Sequence, residues 1–174
     1  LNIEIKDVKG TSDSKFKPNR PLLLELLADV LTSHHGEVVL SSFSVWDMAK
    51  AAELMPDIRR GMLFIPDIEP ETLIYNHGDE PAHYLHFTPQ NVHMVAETAT
   101  LSCAHPCVGS VSEDAMMVCK ELDFGINFWS MDEIPPQQNP EPLRRCVKLC
   151  QKFNRPLTIM TDFVPEMRQF LENS

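Results

Sequence analysis

The sequence has no long hydrophobic run and no export signal at its start. Its longest apolar stretches are only a few residues, far short of the roughly 20 that a transmembrane helix needs. A secretory signal would begin with a basic segment followed by a hydrophobic one, and the first residues contain neither. We therefore expect no transmembrane segment.

Positive charge is also scarce. Lysine and arginine together number 15, against 25 aspartates and glutamates, so the formal net charge is −10. A nucleic-acid-binding surface needs clustered basic side chains that displace counterions from the phosphates. The composition therefore excludes nucleic acid as the expected partner, but it is compatible with a small phosphate compound that binds through local charge.

The six glycines form none of the common nucleotide-binding motifs. The sequence contains neither G-x-G-x-x-G nor a Walker sequence, so nothing in it favours a nucleotide-binding fold. It also lacks the G-x-S-x-G elbow, and this disfavours an α/β hydrolase with a serine nucleophile.

Five cysteines are an odd number, and they lack the spacing of a disulfide framework. Reduced thiols and a cytoplasmic location are the favoured interpretation. Cys103 and Cys107 bracket His105, and Cys146 lies four residues before Cys150, but C-x-x-x-C is not the usual zinc knuckle. We therefore expect small buried core thiols rather than a structural zinc site.

The chain does contain a regular alternation of apolar β-like runs and helical segments. With 174 residues and 43% hydrophobic content, it is long enough for one domain with a sizeable core. Six strands are predicted, over 1–6, 37–43, 59–65, 99–105, 124–130 and 157–161. Helices are predicted from residue 21 to before Gly36, from the Ser44 cap to before Pro56, from the Thr88 cap to 98, from the Ser112 cap onwards, over 142–153, and over 165–171.

Near-continuous apolar strands separated by helices indicate a parallel sheet, hence an α/β fold. The pattern alone is compatible with both a doubly wound sheet and a (β/α)8 barrel. An irregular stretch, 66–87, follows the third strand, where substrate-selecting loops lie in barrels. Barrel enzymes place their chemistry at the carboxyl ends of strands, and polar or aromatic residues lie at those ends here: Glu4, Lys6, Ser41, Phe43, His105, Trp129 and Asp162.

The first predicted strand, LNIEIK, carries two opposite charges. Because side chains in a strand alternate, Glu4 and Lys6 share one face while Ile3 and Ile5 point to the other. A buried pair of opposite charges is costly unless it holds something, and a metal ion bridged to a phosphate is a natural occupant. A half-exposed strand with a solvated ion pair is the alternative, and the hexamer alone does not separate the two.

Several segments, taken in order, resemble the glycerophosphodiester phosphodiesterase family. LNIEIK is similar to the family's Glu-x-Lys strand, VVLSSF to its next strand, and RRGMLF to the one after. CAHP resembles the His-Pro that ends a later strand, and NFWSMDE resembles the Trp-containing strand. IMTDFVPEMRQFL resembles the closing Thr-Asp segment with its helix, so the resemblance spans nearly the whole chain.

By this resemblance the fold is a TIM (β/α)8 barrel, and the activity is metal-dependent hydrolysis of glycerophosphodiesters to glycerol 3-phosphate and an alcohol. Glu4 would be a ligand of Mg2+ or Ca2+, and Lys6 would be a catalytic contact to the phosphate or the leaving oxygen. Trp129 would be an aromatic wall of the substrate pocket, and Phe43, at a strand end, is a further candidate for substrate binding. Hard divalent ions prefer carboxylate oxygen, and a nearby lysine offsets the charge of the phosphoryl transition state.

The chain also departs from the family. Members carry His-Arg-Gly, Glu-x-Asp and His-Asp segments before the Glu-x-Lys strand, with the general acid and base and further metal ligands, and these have no counterpart here. We therefore expect residues 1–174 to form a barrel domain of about six βα units that lacks the N-terminal strands. Two alternatives stay open: a sphingomyelinase D-like phospholipase, and a non-catalytic, barrel-like binding module.

Overall fold

The computed structural model of the chain describes residues 1–5, 20–66, 75–77, 80–82, 84–130 and 139–172. The strands are β1 (Asn2–Glu4), β2 (Val39–Ser42), β3 (Arg59–Phe64), β4 (Tyr75–His77), β5 (Glu80–Ala82), β6 (Cys103–Pro106), β7 (Gly125–Trp129) and β8 (Thr158–Met160). Six of them form one sheet of parallel strands in the order β1-β2-β3-β6-β7-β8. The six predicted strands are confirmed, and the sheet curls into a half-barrel, the alternative that the family resemblance implied.

Helices connect the strands of this sheet. They are α1 (Arg20–Thr32), α2 (Val45–Leu54), α3 (Pro89–Ala99), α4 (Glu113–Glu121), α5 (Glu141–Phe153) and α6 (Val164–Glu172). The three predicted N-caps are confirmed, because the side-chain oxygens of Ser44, Thr88 and Ser112 each accept a bond from the backbone N–H three residues on, at 3.1, 3.2 and 3.3 Å. Such a bond satisfies one of the amide groups that a helix start leaves without a partner.

The core lies between the sheet and the helices. Along β3, Leu63 lines the inside of the half-barrel, whereas Met62 and Phe64 are fully buried on the other face. The ring of Phe64 packs edge-on against Phe87, with centroids 5.3 Å apart. The same apolar cluster includes Leu40, Met48, Val92, Val95, Met116 and Phe128. Its removal from water supplies most of the stabilising free energy of such a fold.

Arg60 is a charged residue that lies almost wholly inside the protein, only 5% exposed. Its Nη1 donates to the carbonyl oxygens of Met55 at 2.7 Å and Ile58 at 2.6 Å, and its Nη2 donates to that of Thr100 at 3.2 Å. Met55 and Thr100 are the C-caps of α2 and α3. Because helix C-termini attract cations and leave carbonyls without partners, Arg60 joins the ends of two neighbouring helices.

One predicted strand begins too early. The sequence pattern put a strand over 99–105, but α3 continues to Ala99 and β6 begins at Cys103. Val92, Val95 and Ala99 are all buried. These residues are spaced so that they lie on one face of a helix, and their packing against the core continues α3 to Ala99. The short apolar run in the sequence is equally compatible with a strand, so the pattern did not show this.

The stretch 66–87 is less irregular than predicted. It contains β4 and β5, which pair antiparallel with His77 opposite Glu80. Gly78 and Asp79 stand between them in the sequence, and a Gly-Asp pair between two short strands is a hairpin signal. The predicted irregular stretch therefore contains a short antiparallel pair that was not predicted, although the sequence held its signal.

The helix α1 is apolar around most of its circumference. Leu24 and Leu31 are buried on its inner side, while Leu23, Leu26 and Val30 are 48%, 54% and 66% exposed. This outer face is not covered by any residue in the described part of the chain. Neither α1 nor any other helix in the described ranges combines the length and apolar content that a membrane span requires.

Candidate active site

A cavity of about 570 Å³ opens inside the half-barrel, at the ends of β1, β7 and β8. Its volume falls within the range of roughly 300–1,000 Å³ that is usual for small-molecule sites. Two carboxylates, several small polar groups and a set of apolar and aromatic side chains line it: Asn2, Glu4, Phe43, Leu63, Trp129, Ser130, Ile159, Met160, Thr161 and Asp162. The carboxyl ends of the strands thus carry a cavity of mixed chemistry, as expected for a barrel site.

The cavity brings together three of the four residues predicted for the site. Glu4 ends β1, Phe43 follows β2, Trp129 ends β7, and all three line this one space. The fourth, Lys6, lies outside the described residues. The placement agrees with the predicted metal and substrate roles but does not test them, so those roles stay predictions.

The direction of Glu4 follows from alternation along β1. Ile5 is buried and Ile3 packs against the core, so Glu4 faces the cavity. Two hydrogen bonds hold the backbone of Ile5, at the end of this strand. The N–H of Ile5 donates to the carbonyl of Ser41 at 2.7 Å, and the carbonyl of Ile5 accepts from the hydroxyl of Ser42 at 2.9 Å. These bonds to β2 hold the backbone next to Glu4 at the end of β1.

Asp162 is the second carboxylate of the cavity. It follows β8, the strand at the opposite edge of the sheet from β1. The oxygens of Glu4 and Asp162 are the donors that Mg2+ and Ca2+ prefer, so the chemistry of the pair fits such an ion. Within the described ranges, however, no three His, Cys, Asp or Glu side chains are placed to hold a metal together. These residues therefore supply at most part of a metal site.

Aromatic side chains form one side of the cavity. The rings of Phe43 and Trp129 have centroids 5.8 Å apart and planes at 88°. Phe43 also contacts Tyr84, with centroids 5.3 Å apart and planes at 66°. Edge-to-face contacts of this kind stabilise aromatic pairs by about 0.5–1.5 kcal/mol beyond their buried area. The three rings therefore support one another, and we call them the aromatic corner.

Trp129 is held in place by its indole N–H. Nε1 donates to the backbone carbonyl of Phe64, at the end of β3, over 3.2 Å. The backbone of Trp129 also bridges to Cys107, at the end of β6. A tryptophan N–H that leaves water needs such a partner. The indole is thus fixed both along its own strand and across the sheet.

Tyr84 does not line the cavity, but it contacts the lining residue Phe43, and it was not predicted. It belongs to the segment 84–87, which returns to the end of β3: the N–H of Ile65 donates to the carbonyl of Leu85 at 2.9 Å, and Ile65 forms a parallel bridge with His86. This return places the Tyr84 ring against Phe43. The sequence signal was general, since a long stretch after a barrel strand often reaches the site, but it did not single out a residue.

His105, the one histidine predicted at a strand end, does not line the cavity. It is fully buried beside it, with Nε2 at 3.0 Å from Asn127 Nδ2 and 3.2 Å from Cys103 Sγ. Nε2 thus faces the side chains of Asn127 and Cys103, while Nδ1 has no hydrogen-bond partner among the described residues. This position favours a hydrogen-bonded packing role for His105 over a catalytic one.

The charge state of His105 agrees with this position. Burial, with the positive charge of Arg59 as a smaller cause, lowers the pKa of His105 to about 4. The imidazole is therefore neutral at physiological pH. A group with this pKa and no access to the cavity does not act as a general base on a bound substrate.

All five cysteines are free and buried. Burial raises the pKa of each thiol, to about 12 for Cys119 and Cys146. Thiols with raised pKa in apolar surroundings are unreactive packing groups. The expectation of buried core thiols is confirmed.

Solved structures of other proteins share this fold over most of the chain. A protein from Galdieria sulphuraria described as a glycerophosphodiester phosphodiesterase matches 99% of the chain at 18% identity, with a TM-score of 0.64. A protein from Silicibacter pomeroyi described as a glycerophosphoryl diester phosphodiesterase matches 88% of the chain at 15% identity, with a TM-score of 0.58. A phosphodiesterase from Oleispira antarctica, in complex with the product sn-glycerol-3-phosphate, matches 100% of the chain at 14% identity, with a TM-score of 0.59. No protein-family model and no curated protein matches the chain.

The chain spans about half the length of these structures, namely 57%, 45% and 55% of them. At such low identity the likeness establishes the fold. The barrel architecture expected from the sequence resemblance is confirmed, with six of its βα units in this chain, and the neighbours are the proteins that the resemblance named.

Proposed function

We propose that this protein is a metal-dependent phosphodiesterase that hydrolyses glycerophosphodiesters to glycerol 3-phosphate and an alcohol. One observation carries the proposal: Glu4 and Trp129, which the sequence resemblance selects, line a single cavity together with Phe43, the further candidate at a strand end. The descriptions of the three structural neighbours, one of them with glycerol 3-phosphate bound, are in accord with it.

In this proposal Glu4 holds the metal ion. Its carboxylate faces the cavity from a strand end that hydrogen bonds fix in place, and Asp162 offers a second oxygen donor across the same space. When bound, Mg2+ or Ca2+ would polarise the phosphoryl oxygens and offset the negative charge that develops on them. Lys6, two residues after Glu4, is proposed to contact the phosphate or the leaving oxygen.

The aromatic residues of the cavity are proposed to bind and orient the substrate. Trp129 and Phe43 present apolar surface next to the carboxylates, so a diester placed between them loses water on one side. Excluding water there strengthens every charge interaction that the phosphate makes. The rings thus increase the effect of the charged groups without reacting themselves.

Residues 1–174 have no counterpart of the segments that carry the family's general acid and base, so we do not expect this chain alone to be active. The direct experiment is to assay the full-length protein for turnover of glycerophosphocholine with Mg2+ or Ca2+, and then to test Glu4→Gln in it. Because an amide is a far poorer ligand for a hard cation, we expect activity and metal affinity to fall together by at least about tenfold. Glu25→Gln is the matched control, since Glu25 is exposed on α1. Wild-type activity and unchanged metal dependence in Glu4→Gln would exclude the assignment.

Lys6→Met gives an independent test, since it keeps the aliphatic bulk and removes the charge. We expect lower turnover because the charge proposed to contact the phosphate is lost, and little change in the melting temperature because the aliphatic bulk is kept. A large loss of stability without a specific loss of turnover would favour the ion-pair interpretation of LNIEIK. Turnover of sphingomyelin instead would favour the sphingomyelinase D-like phospholipase. Turnover of no diester would favour the non-catalytic binding module.

We also propose a cytoplasmic location. The five cysteines are all free and buried, and a reducing compartment keeps thiols in that state. Fractionation of cells that express the full-length protein would test this, and recovery from an oxidising compartment would contradict it.

A further inference from the structure

Ser42, the last residue of β2, lies next to two residues that line the cavity. Phe43 follows it in the chain, and Glu4 stands on the neighbouring strand, one residue before Ile5, whose carbonyl accepts from Ser42 Oγ at 2.9 Å. Ser42 does not line the cavity itself, and it is only 1% exposed. Its hydroxyl is therefore a buried group that contacts the backbone of the strand carrying Glu4.

The hydroxyl of Ser42 joins three elements of the fold. Besides its contact with β1, Oγ accepts from the backbone N–H of Ser44, the N-cap of α2, at 3.1 Å. Oγ also lies 3.4 Å from Oδ2 of Asp47, a fully buried residue in the first turn of α2. A hydroxyl can donate one hydrogen bond and accept two, so a single side chain can serve such a junction.

The end of β1 has few other hydrogen bonds to hold it. The strand is three residues long, and within the described ranges it pairs only with β2. Beyond Glu4, the N–H of Ile5 donates to Ser41 and the carbonyl of Ile5 accepts from Ser42. Strand ends held by few hydrogen bonds open locally at little cost. Removing the Ser42 hydroxyl would leave the buried Ile5 carbonyl without this donor and would loosen the backbone next to Glu4.

We propose that Ser42 is a positioning residue for the metal-binding carboxylate of Glu4. The inference rests on the proposed function for the metal role of Glu4, and it adds a residue that contacts neither metal nor substrate. Groups that orient metal ligands typically change metal affinity by about 10–100-fold when they are lost. Because Ser42 contacts the backbone beside Glu4 and not the carboxylate, we expect an effect of about three- to tenfold.

Metal binding can be measured apart from turnover. We would titrate the full-length protein with MgCl2 or CaCl2 in a calorimeter and compare Ser42→Ala with Ser112→Ala. Ser112→Ala is the matched control, because it also removes a hydroxyl that bonds to the backbone, at the start of α4, and Ser112 does not line the cavity. Only Ser42→Ala should weaken metal binding, even if both variants lower the melting temperature equally. Unchanged metal affinity in folded Ser42→Ala would overturn the inference.

Two further variants test whether the effect passes through Glu4. In a Glu4→Gln background, Ser42→Ala should weaken metal binding little further, whereas independent effects would multiply. Ser42→Thr keeps the hydroxyl and should bind the metal much more tightly than Ser42→Ala. Circular dichroism and cooperative unfolding establish that each variant is folded. Multiplying effects in the double variant, or equal losses in folded Ser42→Thr and Ser42→Ala, would contradict the proposed role.

Metal affinity and turnover together separate the inference from the function on which it rests. Weaker metal binding in both Glu4→Gln and Ser42→Ala, without turnover of any diester, would support the inference and overturn the proposed function. Weaker metal binding in Glu4→Gln alone, with turnover in the wild type, would support the function and overturn the inference. A wild-type protein that binds neither metal would overturn both.

Discussion

The imidazole of His105 occupies the space that a side chain at Gly61 would need. A Cβ built on Gly61 would lie 2.2 Å from His105 Nε2, 2.6 Å from Cε1 and 2.7 Å from Cδ2. The ring is held there by Asn127 and Cys103 and is fully buried, so it has nowhere to move. The glycine in the middle of β3 is therefore a requirement of the histidine on β6.

Gly61→Ala should destabilise the protein by about 1–3 kcal/mol, the usual cost of forcing an extra group into a packed interior. Gly109→Ala is the control, because its Cβ would meet nothing closer than 3.9 Å. Urea unfolding of both variants measures the difference. A second step tests the cause: adding His105→Ala to Gly61→Ala should recover part of the loss, and strictly additive effects would show that the two residues do not compete for space.

The lowered pKa of His105 predicts a loss of stability in mild acid. The unfolded chain takes up a proton near pH 6.5, whereas the native state does so only near pH 4. The unfolded state binds more protons between these values, so stability falls as the pH drops through that window and is unaffected above it. The full effect is on the order of 3 kcal/mol.

The measurement for this prediction is the free energy of unfolding from pH 8 to pH 4. His105→Gln should flatten the profile between about pH 6.5 and pH 4, whereas His93→Gln should leave it unchanged, because His93 is exposed on α3. Identical profiles for wild type and His105→Gln would rule out His105 as the source of acid sensitivity.

Arg60→Met should be costly for a different reason. It removes a guanidinium that donates to carbonyls at the ends of α2 and α3, and those oxygens lose their partner inside the protein. We expect a loss of about 2–4 kcal/mol. The stability of Arg60→Lys should lie between those of the wild type and Arg60→Met, since an ammonium cannot reach both helix ends from one position. Arg145→Met, at an exposed site on α5, should change the stability little, and thermal unfolding compares all three.

Thiol labelling provides a test of the interior. The five cysteines are between 0% and 3% exposed, and burial raises the pKa of every one. Iodoacetamide should therefore modify the native protein slowly at pH 8 and all five thiols rapidly in denaturant. The intact mass measured at successive times gives the number of modified thiols. Rapid modification of Cys119 or Cys146 in the native protein would mean that the packing around α4 and α5 opens readily.

Much of the architecture could be predicted from the sequence because the local signals agree. The caps Ser44, Thr88 and Ser112 each precede a helix of clear period, and all three form the expected bonds. The strand predicted over 59–65 ends in the apolar run MLFI, typical of parallel sheets buried on both faces. At 99–105 the apolar run is short, and packing against the core decides between helix and strand. This packing cannot be predicted from the local sequence pattern.

The candidate site could be predicted only in part, for a similar reason. Glu4, Phe43, Trp129 and Asp162 all lie at strand ends, so barrel topology alone suggests that they converge. Tyr84 could not be found this way, because the return of its segment to Ile65 is set by backbone bonds between residues distant in the chain. The burial of His105 was equally hidden, since a strand end places a residue near a site without deciding which way its ring turns.

The bond from the Trp129 indole to the carbonyl of Phe64 has a consequence for recognition. An aromatic side chain that is free to rotate loses conformational entropy when a ligand fixes it, at roughly 0.5–1.5 kcal/mol for an ordered side chain. Trp129 loses that freedom when the sheet folds, and its contact with Phe43 restricts both rings further. The wall is therefore preorganised, so a ligand meets a surface already in its bound shape and keeps more of the interaction energy as affinity.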